Sequence, residues 1–153
     1  MKGITFIILC ISLHITAQIS PNINQYNKQG KKHGIWKGYH ENTQTKRYEG
    51  EFNHGTPVGR FTYYAIEGHV NGKVDFINDS ISSAQIFHDN GSIMAEGKFL
   101  NQTKSGKWYI YSRSGYLLNV LHYLHGALEG TQYSYYPKFD DYEKVKVMEQ
   151  YEC

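Results

Sequence analysis

A pattern of glycine, aromatic strand, turn and a second strand closing on an aromatic recurs about every 24 residues along this chain. Taking the residue that opens each first strand as a marker, the copies begin at Gly34, Gly59, Ser82, Gly106 and Gly130, at intervals of 25, 23, 24 and 24 residues. Even spacing at this length is the signature of a repeat array, in which each unit covers its apolar surface with its neighbours. The clearest copy runs Ser105-Gly106-Lys107-Trp108-Tyr109-Ile110-Tyr111, turns at Ser114-Gly115, and returns through Val120-Leu121-His122-Tyr123 to His125-Gly126. It reads as one β-hairpin.

An aromatic stands five places after the marker in every copy: Tyr39, Tyr64, Phe87, Tyr111 and Tyr135. Two places after it stand Trp36, Phe61 and Trp108 in copies one, two and four, but Ala84 and Gln132 in the degenerate third and fifth. The second strands close on Phe52, Phe76, Phe99, Tyr123 and, after an expansion through Asp140 and Asp141, on Tyr151. Alternation places Tyr48, Gly50 and Phe52 on one face against Glu49 and Glu51, and Ala95, Gly97 and Phe99 against Glu96 and Lys98. One face is therefore packed and the other wet. Positions two and five after the marker have opposite parity, so aromatics fall on both faces unless a bulge intervenes.

The glycines have turn and packing roles. Asn90-Gly91 and Ser114-Gly115 suit tight turns, the first with φ > 0 at both central residues. Gly50 and Gly97 leave gaps in the packed face, across which a bulky neighbour, such as a Trp from an adjacent first strand, is expected to lie. No strand, Gly-rich loop and helix occur in the order a nucleotide site needs.

With 14 Tyr, 15 Gly and only 3 Pro in 153 residues, the composition suits aromatic strands joined by Gly turns, and no window holds a 3.6-residue apolar period. The expected fold is all-β: an elongated array of about five antiparallel hairpins forming a twisted single sheet. Ahead of it, residues 1–17 read as an export signal: Met1-Lys2-Gly3, an apolar run from Ile4 to Ile11, and a small residue at Ala17. Such a run is well below the ~20 residues that span a bilayer. Residues 18–29 are Asn/Gln-rich and read as a polar leader, with the repeat domain over 30–153. The expected location is the periplasm, cell surface or extracellular space.

Charge and chemistry narrow the function. Removing Lys2 with the signal lowers the formal charge from +2 to +1, which gives no electrostatic footprint for nucleic acid. Cys153 would then be the single cysteine, unable to form an internal disulfide or a Cys pair for a metal. His33, His54 and His125 each precede a Gly near a repeat junction, which turn chemistry explains; His122 and His125 fall across a strand end. Asp140 and Asp141 are neighbours in a loop rather than carboxyls facing each other, and no serine sits in a nucleophile elbow. No enzyme, cofactor or metal site is expected.

The units Gly30 to Tyr39, Tyr48-Glu49-Gly50-Glu51-Phe52 and Ala95-Glu96-Gly97-Lys98-Phe99 resemble MORN repeats, in particular the bacterial MORN-repeat variant. The resemblance covers roughly residues 30 to 151 and implies a non-catalytic hairpin array used for protein association and, in some members, membrane contact. Some members are labelled antitoxins of a toxin/antitoxin pair, a cytoplasmic role that an export signal contradicts. Gly106 to Tyr111 followed by Ser114 to Leu117 is also similar to choline-binding repeats of cell-wall proteins, which cage a quaternary ammonium between aromatics. Those repeats are shorter and carry a second Trp that this chain lacks.

A thin sheet has few places to bury area, so its large rings serve the core first. Gly34, Gly59, Gly106 and Gly130 are read as structural repeat residues together with Trp36, Phe52, Phe61, Phe76, Phe99, Trp108 and Tyr123. Tyr39, Tyr64, Tyr111 and Tyr135 remain as a candidate exposed ladder. The expected function is association with a protein or envelope component through this aromatic-rich surface, with peripheral membrane contact and oligomeric state left open. The alternative is glycan or cell-wall binding through the same ladder.

Overall fold

The computed structural model describes residues 22–137 and 142–151, with side chains through Tyr135. The export signal, the start of the leader, Asp140, Asp141 and Cys153 lie outside the described residues, and Tyr151 is described in its backbone alone.

The described chain is all-β. Its strands are β1 (Gln25–Tyr26), β2 (Lys32–Tyr39), β3 (Lys46–Asn53), β4 (Thr56–Tyr64), β5 (Val70–Phe76) and β6 (Ile81–Phe87). They continue as β7 (Ile93–Leu100), β8 (Thr103–Tyr111), β9 (Leu117–Leu124), β10 (Ala127–Leu128), β11 (Gly130–Pro137) and β12 (Tyr142–Tyr151). All pair antiparallel in chain order in one open sheet, with β10 and β11 both on β9. The five expected hairpins are β2–β3, β4–β5, β6–β7, β8–β9 and β11–β12.

The leader is partly strand, which its polar composition concealed. Gln25 and Tyr26 pair with His33 and Lys32. Asn24 prolongs the pairing with its side chain: its backbone N donates to Ile35 O (2.9 Å), its Nδ2 donates to Lys37 O (3.0 Å), and its Oδ1 accepts from Lys37 N (2.7 Å). An asparagine amide offers a donor and an acceptor as a peptide group does.

Two turn types alternate along the edges of the sheet. At the hairpin tips, Gly68, Gly91 and Gly115 donate their N–H to the carbonyls of Ala65, His88 and Ser112, and each takes φ of +83 to +95°. This is a type I turn followed by a left-handed glycine. Asn90 does not share the positive φ expected of it; the loop is longer than a two-residue turn, and Asn90 Oδ1 instead accepts from Ser92 N (3.1 Å) and Oγ (2.7 Å). Three of the four junctions between hairpins hold two-residue turns with φ > 0 at both positions, at His54-Gly55, Asn101-Gln102 and His125-Gly126, while the β5–β6 junction is a longer loop closed by Ile77 N and Asn78 N donating to Ile81 O. Turn chemistry thus accounts for His54 and His125. His33 lies in β2, where Gly34 alone carries the positive φ.

The marker glycines are bulge residues. Glu49 pairs with Thr62 and Glu51 with Val58, so Gly50 of β3 faces Gly59, Arg60 and Phe61 of β4. The same excess recurs where Gly97 of β7 faces Gly106, Lys107 and Trp108 of β8. Gly59 and Gly106 open these bulges at φ +63° and +68°. The extra chain swings the aromatic two places later back over the preceding strand, so a Cβ built on Gly50 would fall within the Phe61 ring and one on Gly97 within Trp108. The expected bulky neighbour is thus present at both gaps, as a Phe at the first and a Trp at the second. Trp108, 1% exposed, also donates its Nε1–H to Lys98 O (3.1 Å), a carbonyl the bulge leaves beside it.

The degenerate copies obey the same rule in reverse. Val74 and Leu121 stand where Gly50 and Gly97 do, two before the closing aromatic. Opposite Val74, β6 has Ser82 rather than Gly and no bulge; Ala84 pairs directly with Val74. After Leu121, Gln132 is buried, accepting from His122 N (2.8 Å) and donating to Glu129 O (3.1 Å). A side chain on the closing strand excludes a ring from the next hairpin.

Rings on this face meet edge to face: Trp36 with Phe52 (6.1 Å), Phe52 with Phe61 (5.1 Å), Phe61 with Phe76 (5.3 Å) and Phe99 with Trp108 (5.1 Å). Lys32 Nζ lies 4.5 Å from the Trp36 centroid and Lys104 Nζ 4.6 Å from that of Trp108.

Gly97→Val is expected to destabilise by about 1–3 kcal/mol through overpacking, and Trp108→Ala by about 3–5 kcal/mol. The double variant, which imitates Val74 and Ala84, costs less than the two added. Urea unfolding in a double-mutant cycle checks this; strict additivity contradicts the ring-over-glycine contact.

Candidate binding surface

On the opposite face a polar row runs across the strands in register, from Lys37 through Glu49, Thr62, Lys73, Gln85 and Glu96 to Tyr109. Glu49 accepts from Lys46 Nζ (2.7 Å) and lies 3.6 Å from Lys37 Nζ. The Lys46 hydrogen bond holds the Glu49 carboxyl below its usual range, and the same bond raises the Lys46 ammonium. Glu96 is held differently, by neutral donors: Gln85 Nε2 (3.2 Å) and the Tyr111 hydroxyl (2.9 Å). Burial and this bond to Glu96 push the Tyr111 phenol up to about 12. Beside the row, Arg60 grips Asp75 through two N–H···O bonds (2.7 and 2.8 Å) on the wall of a groove of about 620 Å³ that also takes in Ser83, Lys98 and Lys107.

A second row lies nearer the hairpin tips. Parity alone puts the aromatics five places after the marker on this face, because the bulges in the first strands precede the aromatic pair and those of the second strands lie opposite it. Tyr39 pairs with Lys46, Tyr64 with Val70, Phe87 with Ile93 and Tyr111 with Leu117, and Tyr135 follows on β11. All four ladder tyrosines thus share a face, and Phe87 supplies the missing rung. Its place five after Ser82 is the signal that identifies it; a ladder restricted to tyrosines passed over it.

The ladder is less exposed than expected. Tyr39 is 47% exposed, but Tyr64, Phe87, Tyr111 and Tyr135 are half-buried. Lys46 Nζ covers the Tyr64 ring at 4.6 Å and Lys73 Nζ lies 5.3 Å from the Phe87 centroid. His40 Nε2–H donates to Tyr64 O (3.0 Å) and His88 Nε2–H to Tyr111 O (3.1 Å), each linking one repeat to the next.

Register shifts leave one extra residue on each second strand beside these rungs. The spacers are therefore Lys46 and Arg47, Val70 and Asn71, Ile93 and Met94, Leu117 and Leu118. Their character passes from basic to apolar along the sheet. The structural repeat residues occupy the other face in two groups of touching rings, Trp36, Phe52, Phe61 and Phe76 in one and Phe99, Trp108 and Tyr123 in the other.

The histidines serve local contacts. The His33 and His54 rings stand 5.0 Å apart, and Asn27 Nδ2 donates to His54 Nδ1 (2.8 Å), the Asn27 oxygen being taken by Gln29 N and Lys31 N. Among the described residues no three of His, Cys, Asp and Glu stand together as metal ligands would.

No family model, curated protein or solved structure matches the chain.

The raised Tyr111 phenol gives a pH dependence of definite sign. The folded state keeps its proton more tightly than the unfolded chain, so this contribution to stability is whole below pH about 10 and is lost as pH rises towards 12. Subtracting a Tyr111→Phe protein's alkaline absorbance titration from that of the native chain should leave one phenol ionising near pH 12. A difference centred near 10 removes both the burial of the phenol and its Glu96 bond from the account.

Proposed function

We propose that this chain is a non-catalytic repeat protein of the MORN-variant kind, exported, that associates with a protein or envelope component through its sheet surface. The observation that carries the reading is the row of Tyr39, Tyr64, Phe87, Tyr111 and Tyr135 on one face of a sheet that has no second layer among the described residues. Aromatic side chains supply contact area at low entropic cost and are enriched where proteins meet. Glu96 and Gln85 beside the row supply polar groups for orientation.

Glycan or cell-wall binding is the second reading, favoured at one end of the row. There the exposed Tyr39 shares a surface recess with Thr43 and Gln44, a ring beside a hydroxyl and an amide.

The two readings separate by experiment. Photo-crosslinking from a reactive residue placed at position 94 in the producing cell is expected to yield a discrete protein adduct that Tyr111→Ala abolishes. Sugar stacking predicts instead that Tyr39→Ala loses retention on purified cell-wall material. Absence of any adduct, with retention on wall material that depends on Tyr39, overturns the protein reading.

A further inference from the structure

The polar face sinks at the third repeat. A row in register runs Arg60, Asp75, Ser83, Lys98 and Ser105 from β4 to β8, beside the row of Gln85, Glu96 and Tyr109. Ser83 stands one place after its marker, where the second and fourth copies carry Arg60 and Lys107. Short side chains at Ser83 and Ser105 leave a low floor between Arg60 and Asp75 on one side and Lys107 and Tyr109 on the other, and the groove of about 620 Å³ lies there. From this lining we infer that the groove binds an acidic oligosaccharide, a run of sugar rings bearing one carboxylate where it crosses Lys98 and Lys107. The inference goes beyond both readings above, since its lining residues belong neither to the aromatic ladder nor to the Tyr39 recess.

Charge decides the number of anionic groups. Five charged side chains line the groove, Arg60, Lys98 and Lys107 against Asp75 and Glu96. Two hydrogen bonds join Arg60 to Asp75, and that contact holds the Asp75 carboxyl below its usual range, so the two charges answer each other. Glu96 has only the neutral donors Gln85 and Tyr111. Among the described residues no ion pair or hydrogen bond engages the ammonium group of Lys98 or Lys107. The excess is one positive charge, which complements a single carboxylate. A polyphosphate or an anionic bilayer would set several negative charges against Asp75 and Glu96 as well.

Shape and hydrogen-bonding capacity select the rest of the ligand. From Arg60 on β4 to Lys107 on β8 is four strand spacings, roughly 19 Å, which suits a long, narrow molecule rather than a lone ion. Acceptor positions remain on Asp75 and Glu96, and among the described residues the Gln85 side chain is engaged only through Nε2, so its carbonyl is open as well. The Ser83 and Ser105 hydroxyls can donate or accept. Tyr109, half-buried at one end, adds an aromatic ring and a phenol. Adjacent sugar hydroxyls supply the donors that these acceptors need, whereas an acidic peptide brings the charge with few hydroxyls.

The full chain is screened on an array of glucuronate-, galacturonate- and mannuronate-containing oligosaccharides, each beside its carboxyl-reduced neutral form, and affinity for the strongest pair is measured by isothermal titration calorimetry. Saturable binding is expected, at least tenfold tighter for the acid than for the reduced form, with the difference shrinking as salt is raised. Lys98→Met combined with Lys107→Met should erase the preference for the acid and leave the weaker binding of the neutral form. Ser83→Leu, which fills the floor, should weaken both at least tenfold with an unchanged circular dichroism spectrum; if it unfolds, Gln85→Ala serves instead. Tyr39→Ala should change neither. No saturable binding on the array, a preference for the acid that survives the lysine substitutions, loss of binding in Tyr39→Ala, or displacement of the sugar by equimolar tripolyphosphate or a tri-glutamate peptide overturns the inference. The protein-association reading stands or falls separately, on its own crosslinked adduct.

Discussion

The architecture depends on a ring lying where a side chain is missing. A single sheet has no opposing layer to fill its core, so apolar area must be buried within one face, between neighbours on adjacent strands. Phe61 over Gly50 and Trp108 over Gly97 achieve this, and the two-residue bulge opened by Gly59 or Gly106 gives each ring its reach. Glycine thus has two separate roles here, one as absent bulk on a closing strand and one as a left-handed pivot on the next.

That contact also explains how the hairpins join. Each ring belongs to one hairpin and its glycine to the hairpin before it, so burial is shared across the junction rather than within a unit. Backbone groups follow the same logic: Gly55 N donates to Lys32 O, Asn101 N to Ser80 O and Gly126 N to Lys104 O, each linking a junction turn to the chain at the opening of the hairpin before it. On the other face the couplings are polar, with Arg113 gripping Asp89 and Asn90 Nδ2 donating to Arg113 O between neighbouring tips.

Much of this was legible in the residues themselves. The beat set by Gly34, Gly59, Ser82, Gly106 and Gly130 identified the hairpins, and alternation around Gly50 and Gly97 identified the packed face. The bulges were not legible, because a pivot glycine and a turn glycine look alike in a sequence and only pairing register distinguishes them. Nor was the order in the leader, where Asn24 builds a ladder with its side chain. The candidate surface was read in part: parity found the ladder, but exposure depends on long side chains such as Lys46 and Lys73 folding back over rings, which position in the chain does not encode. Phe87 was missed for a plainer reason, since it sits in the copy whose other positions depart most from the pattern.

The unbulged pairing of Val74 with Ala84 divides the molecule. Upstream of it one continuous aromatic stack runs from Tyr26 to Phe76, and downstream another runs from Phe99 to Tyr123. Between them β5 and β6 meet in plain ladder, without a ring pair across it. The aromatic packing of the described residues therefore falls into two blocks, joined across the β5–β6 seam by aliphatic contacts, where Val74 packs on the cluster of Ala84, Ala95 and Trp108.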